Sequence, residues 1–318
     1  MTAIRQLDQH VRGQPGTARP AVSFMARRQA WLGLLFVSPW IIGFVVFKLL
    51  PILASLAFSF TNFHAMEPDN IQFIGLDNYL RVLSDDAAGF SLFATLSFGL
   101  RVIPAQLGVA LLFASLLSSP RVRAKRLLRS LIFLPSIIPG TAVFVVAFGF
   151  IDPSTGWLNR LILDPLRLAP FQGPNSEAGF YFILTLIALW TIGPTFMIML
   201  AAMRGIPHEL YEAARVDGAG PINRFANVTL PLVSPAIFFS LIISLISLFG
   251  GAALLDQGTT FSGGISAYDN YISTMIFNQF EIGYAASLAW AFFVLMIVVI
   301  VVLFRTARYW VYYPEGEH

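Results

Sequence analysis

Long runs of apolar residues, separated by short polar gaps, organise the chain from about residue 31 to residue 304. A helix needs about 20 consecutive apolar residues to cross a bilayer. On that length the runs predict six membrane helices, over about residues 31–50, 92–117, 130–151, 179–203, 232–254 and 283–304. The first apolar region continues past Pro51 to Phe60. It is too long for one upright crossing, so it tilts, kinks at Pro51 or protrudes. It also far exceeds the apolar core of a signal peptide, roughly 7–15 residues. No internal repeat of solenoid length is visible. Nor are two halves of inverted topology, which weakens a secondary-carrier reading. The predicted fold is all-α, a polytopic membrane helical bundle. It consists of an N-terminal arm (1–30), a membrane domain (31–304) and a tail (305–318).

The polar gaps alternate in charge. Arg5, Arg12, Arg19, Arg27 and Arg28 precede the first run. Arg121, Arg123, Lys125, Arg126 and Arg129 sit between the second and third, and Arg204, Arg215 and Arg224 between the fourth and fifth. Arg305 and Arg308 follow the last. The intervening gaps hold only Arg81, Arg160 and Arg167 among cations. They carry Glu67, Asp69, Asp77, Asp85 and Asp86, or Asp256, Asp269 and Glu281. Basic residues mark cytoplasmic connections. Both termini and the 204–231 gap are therefore predicted on the cytoplasmic side.

Composition agrees: 57% of the 318 residues are hydrophobic and 12% charged, against roughly 25% charged in soluble domains. There is no cysteine, which removes disulfides, thiolate metal sites and thiol nucleophiles. The net charge of +3 is spread over the flanks of apolar spans, which does not suit a nucleic-acid surface. The lysines, Lys48 and Lys125, do not follow glycine, so the chain has no phosphate-binding Gly-Lys-Ser/Thr loop. His10, His64, His208 and His318 have no metal-ligand spacing and no nucleophile partner. Asn227-Val228-Thr229 is a glycosylation sequon by pattern only, since it falls on the cytoplasmic side.

The 204–231 gap contains the most informative residues. Pro207 suits a first helical turn, and Glu209 and Glu212 favour its positive end. Arg215 lies one turn past Glu212 and can pair with it. Gly218 suits a left-handed stop. A second short helix is predicted to start at Pro221 and close at Leu230-Pro231. Ser234-Pro235 would then cap and start the fifth span. Ala213 and Ala214 keep one side small for a protein surface to approach, and Glu212 offers it a charge. The bland alternative is an ordinary helix-turn-helix connection.

This gap resembles the loop by which the membrane subunit of an ABC importer grips its ATPase. The pattern is E-A-A, three residues, G, nine residues, I-x-L-P. The chain matches at Glu212, Ala213, Ala214, Gly218, Leu230 and Pro231, with Val228 in place of Ile; Arg215 and Asp217 fall inside it. From about residue 30 to 313 the chain resembles sugar-type permeases of the maltose/lactose/glycerol-phosphate group. The echoes run in order: Ser59-Phe60-Thr61, Phe73 to Tyr79, Gln106-Leu107-Gly108, Gly156-Trp157-Leu158-Asn159 and Arg308 to Tyr313. One departure is Phe261-Ser262-Gly263-Gly264-Ile265, where the family often has Thr-x-Gly-Gly-Pro.

The resemblance implies a type I ABC importer transmembrane domain in a bacterial or archaeal cytoplasmic membrane. It implies a second permease subunit, an ABC ATPase dimer and an extracytoplasmic solute-binding protein as partners. This chain would hold no cofactor; ATP and Mg would sit on the ATPase.

Polar residues within the spans are candidates for a substrate path. Ser240, Ser244 and Ser247 share one helical face that Gly251 continues. They read either as a polar wall or as close packing through small residues. Trp190 and Thr191 precede Gly193-Pro194, a break whose freed backbone groups a cavity or neighbour must satisfy. Trp190 either stacks on a sugar ring or packs against lipid. Arg101 is either a cavity residue or an outward snorkel, as is Lys48. Phe144 and Phe148 form a gate or simply pack. An ion-coupled carrier would need acids inside the spans, where only Asp152 and Asp256 lie near the ends. A membrane enzyme would need a metal site or nucleophile–base pair, and none is seen.

Overall fold

The computed structural model describes residues 24–119, 122–171, 177–248 and 268–312. Most of the expected N-terminal arm, Gly251, the 261–265 departure and residues 313–318 lie outside them. The described residues form helices and turns, with one isolated β-bridge between Thr61 and Phe73. The helices are α1 (Phe24–Phe44), α2 (Leu50–Ser59), α3 (Asp77–Ser84), α4 (Asp86–Ser118), α5 (Lys125–Phe133), α6 (Gly140–Ile151) and α7 (Glu177–Trp190). They continue with α8 (Gly193–Arg204), α9 (His208–Val216), α10 (Pro221–Arg224), α11 (Leu230–Leu248), α12 (Tyr268–Phe277) and α13 (Ile282–Trp310).

Four stretches among these residues are long and apolar enough to cross a membrane: Trp31–Ser59, Asp86–Ser118, Pro221–Leu248 and Ile282–Trp310. The pair Phe182–Trp190 and Gly193–Arg204 passes the same test together but is bent by 46° at the break, a broken span or a re-entrant loop. The stretch expected as a third span is interrupted. After α5 comes a 3₁₀ turn, Leu134–Ile137, and α6 starts only at Gly140. Pro135 and Pro139 each remove a backbone donor at this interruption.

Proline does not always stop a helix here. A π turn, Val45–Leu49, joins α1 to α2 just before Leu50-Pro51, and another, Phe225–Thr229, joins α10 to α11 just before Leu230-Pro231. The wider turn shifts the hydrogen-bond register next to a residue that cannot donate. Leu230-Pro231 therefore does not close a helix, and Ser234-Pro235 does not start one. Both lie inside one helix from Pro221 to Leu248.

The chain divides into two units, Met1–Ser55 and Leu56–His318. In the first, α1 presents large apolar side chains such as Trp31, Leu35, Phe36 and Trp40 in the open. Trp40 stacks on Phe44 at 5.6 Å.

The second unit has its core in layers. Ala110 and Ala114 of α4, Phe196, Met199 and Leu200 of α8 and Val233 of α11 form one cluster. Small residues on α4 let α8 approach closely, as membrane packing favours. Tyr268 and Ile272 of α12, Ala88 of α4, and Tyr284, Leu288 and Phe292 of α13 form another. In a third, Phe238 of α11 meets Phe304 and Trp310 of α13 edge-on, with centroids 5.0 and 5.5 Å apart.

A polar clamp ties α3, α4, α12 and α13 together. Asp85 caps α4 by accepting from the N–H groups of Ala87 and Ala88. Its other oxygen accepts from Tyr271 Oη of α12 at 2.6 Å and Tyr284 Oη of α13 at 2.5 Å. The Arg81 guanidinium lies over the Tyr284 ring, 3.8 Å from its centroid, and bonds Glu281 at 2.6 Å. Asn78 donates to the carbonyls of Ser59 and Thr61, closing α2. Partial burial pushes the Asp85 carboxyl up, but the Tyr271 and Tyr284 hydroxyls and the Ala88 and Ala87 N–H groups outweigh it. Its pKa falls below the ordinary value. A depressed carboxylate contributes stability above its unfolded pKa of about 3.9, and that contribution is lost as pH falls further. Thermal unfolding of the purified protein is expected to shift to lower temperature below about pH 4. Asp85→Asn lowers the neutral-pH midpoint and flattens that acid dependence; an unchanged acid profile in the variant rejects the clamp.

Candidate functional site

The 204–231 segment projects from the cluster around Met199 and Val233. α9 starts at His208, one position later than expected, with Pro207 extended before it at φ −57° and ψ 137°. It ends in a Schellman arrangement. The N–H of Ala219 donates to the Ala214 carbonyl at 2.9 Å and that of Gly218 to Arg215 at 3.1 Å. Gly218 adopts φ +76°, the left-handed conformation that the stop requires, and a Cβ there would meet nothing within 4 Å. Its role is thus conformational rather than steric.

Glu212 and Arg215 pair at 3.5 Å and both are exposed. Such a surface pair contributes about 0.3–0.5 kcal/mol. Ala213 and Asp217 are exposed and Ala214 is partly covered. Leu230 is exposed and Pro231 half-buried, both on the continuous helix behind the loop. Tyr211 Oη and Thr229 Oγ1 hydrogen-bond at 2.9 Å across the two arms. Two residues that sequence reasoning missed are the most conspicuous: Val216 is 89% exposed and Ile222 81% exposed, one on each side of the Gly218 turn. Their signal was an apolar side chain within an otherwise polar gap. Together the residues form a two-armed projection with an apolar tip, an acidic group and a rigid stop.

The candidate path residues lie on three elements. Arg101 is exposed on α4, where its Nε donates to the Ser97 carbonyl at 2.9 Å. Trp190, half exposed, ends α7. Thr191 follows it and donates from Oγ1 to the Ile187 carbonyl at 3.0 Å. Ser240 is buried, and its hydroxyl finds no hydrogen-bond partner among the described residues. Ser244 is half-buried and Ser247 exposed, its hydroxyl donating to the Ile243 carbonyl at 2.9 Å.

α4 reaches both other elements. Gln106 Nε2 donates to the Ala188 carbonyl at 3.4 Å, meeting one of the groups freed by the Gly193-Pro194 break. Gly99 leaves so little room that a Cβ would stand 2.6 Å from Leu248 Cδ2 of α11. At the break itself, a Cβ on Gly193 would stand 2.8 Å from Ser136 Oγ and 3.0 Å from Phe133 Cα. The interrupted third stretch therefore packs directly on the bend of the next.

Residues 106–312 match the family model described as binding-protein-dependent transport system inner membrane component. The chain is 34% identical over 300 residues to the probable ABC transporter permease protein YesP of Bacillus subtilis, covering 92% of this chain and 95% of that one. It is 30% identical over 313 residues to the arabinooligosaccharides transport system permease protein AraP of the same organism, covering 90% and 93%. Its fold matches a chain of the bacterial alginate ABC transporter, solved in complex with an alginate pentasaccharide-bound periplasmic protein. That match has a TM-score of 0.76 at 22% identity and covers 90% of this chain and 97% of that one.

Proposed function

The chain belongs to the family of binding-protein-dependent transport system inner membrane components, and we propose that it forms half of the translocation pathway of an ABC importer for a carbohydrate. The named substrates of its relatives, arabinooligosaccharides and alginate, support a saccharide over an amino acid or polyamine. Arg101 is the only cation on the candidate path residues, which favours a neutral mono- or oligosaccharide.

The observation that carries this reading is the two-armed projection between α8 and α11. Glu212, Ala213, Ala214, Arg215, Asp217 and Gly218, backed by Leu230 and Pro231, present a rigid cytoplasmic foothold. A partner ATPase grips it, with Val216 and Ile222 at the tip. That ATPase, as a dimer, holds the ATP and Mg. A sister permease subunit completes the cavity, and an external binding protein delivers the sugar. In this arrangement residues 125–151 and 177–204 cross as broken helices, giving six crossings with both termini in the cytoplasm. Arg101, Trp190, Thr191, Ser240, Ser244 and Ser247 line the path.

The test is uptake of a labelled oligosaccharide into proteoliposomes carrying this chain with its sister subunit and ATPase. Uptake is expected only with ATP inside and the binding protein outside. Uptake by this chain alone, driven by a proton gradient, overturns the proposal.

A further inference from the structure

The C-terminal segment returns to the foot of α11 and makes contact at one residue. Pro235 has no N–H, so the carbonyl one turn earlier, on Pro231, loses its helical donor. Ser234 supplies the replacement: its Oγ donates to the Pro231 carbonyl at 2.6 Å. The same oxygen accepts the backbone N–H of Tyr312 at 2.8 Å. Ser234 is 5% exposed and Val311, next to the accepted N–H, is 6% exposed, so both bonds are part-buried although the Tyr312 side chain reaches solvent. Phe238, one turn above Ser234, packs edge-on against Phe304 and Trp310. The tail is thus held by a polar bond and an aromatic clasp side by side. Pro231 is the last residue of the proposed coupling segment, and the Tyr211–Thr229 bond ties α9 to the turn just before it. An unbroken chain of contacts runs from α9 through Thr229 and Pro231 to Ser234 and the tail.

We infer that Ser234 is a positioning residue for coupling: through it, the segment Trp310–Tyr312 holds the foot of α11 so that motion of the 204–231 loop enters the membrane helix rather than dissipating at the prolines. The inference rests on the coupling role proposed for that loop. It concerns how much transport each ATP yields, not whether the subunit assembles. Without the Ser234 hydroxyl, the Pro231 carbonyl and the Tyr312 N–H both lose this part-buried partner, and a polar group left unmet in such a place drives local rearrangement. A threonine at the same position retains the hydroxyl.

The experiment compares variants in the complete transporter in proteoliposomes, reading ATP hydrolysed per sugar imported. Ser234→Ala is expected to copurify with the ATPase at wild-type yield and to raise that ratio several-fold. Ser234→Thr is expected to restore it. Tyr312→Pro removes the N–H without touching α11; Val311 is already extended at ψ 124°, the conformation favoured before proline. It should reproduce the Ser234→Ala ratio, whereas Tyr312→Phe, which keeps the N–H, should match wild type. If Ser234→Ala fails to assemble, Tyr312→Pro alone decides. A wild-type ratio in Tyr312→Pro overturns the inference, as does a failure of Thr to restore the ratio. Glu212→Lys is run alongside. If it changes coupling while Ser234→Ala and Tyr312→Pro do not, only this inference fails. If Glu212→Lys is also silent, the loop's coupling role fails with it.

Discussion

Glu212→Lys and Gly218→Asp are expected to leave the chain inserted and assembled while ATP-driven uptake drops by about tenfold or more, the effect of losing ~1.4 kcal/mol of coupling. The two substitutions act differently. Glu212 is exposed and pairs only weakly, at the surface, with Arg215. Lysine there costs the isolated fold little, yet it reverses the charge offered to an approaching protein. Gly218 sits at φ +76° with open space around it. An aspartate there meets no neighbour and, like asparagine, can adopt the left-handed stop, but it puts a carboxylate at the tip beside Val216. Gly218→Asn is the informative companion, because asparagine tolerates the left-handed conformation and adds no charge. It should retain more uptake than Gly218→Asp. Equal uptake by wild type and Glu212→Lys under saturating ATP removes the foothold from the mechanism.

Gly283→Val is expected to have the larger effect on the protein itself: loss of the folded, assembled subunit. A Cβ at Gly283 would stand 2.2 Å from the Thr61 carbonyl oxygen and 3.0 Å from the Phe63 nitrogen. The Gly283 N–H also donates to the Phe63 carbonyl at 2.9 Å. The backbone of α13 therefore lies directly on the turn after α2, with nothing soft to yield. Overpacking costs about 1–3 kcal/mol when side chains give way; against backbone on both sides, the cost exceeds that range. Gly108→Ala is the control, because its Cβ would meet nothing within 4 Å. Detergent-extracted yield and the thermal midpoint check both. A Gly283→Val subunit as stable as Gly108→Ala refutes the close contact.

Apolar run length carried four of the six expected spans as long helices and a fifth as a bent pair, because a bilayer-spanning segment leaves a signal about twenty residues wide. The Gly218 stop was equally legible, since only a local backbone preference decides it. Proline was harder to read. Pro135 and Pro139 interrupt the expected third span, whereas Pro51 and Pro231 sit in helices that run on after a π turn. The difference lies in hydrogen-bond register, which residue type alone does not reveal. Partnerships across the fold were not legible at all. Asp85 looked like one more acid in an outer gap, yet it holds Tyr271 and Tyr284 nearly two hundred residues away. Ser234 looked like a helix start and is instead a junction with the tail. Among the candidate path residues, the sequence pattern placed the three serines on one face. It did not foretell that burial decreases along that face from Ser240 to Ser247.

The unbroken helix from Pro221 to Leu248 has 28 residues, a rod of about 42 Å at 1.5 Å per residue. Its foot is the second arm of the 204–231 projection, and its far end rests on Gly99, two residues from Arg101. Rocked through a few degrees, such a rod sweeps its tip by roughly 2–4 Å. On the coupling role proposed for the 204–231 loop, it would serve as a crank arm, turning a small stroke at its foot into a displacement of α4 at Gly99.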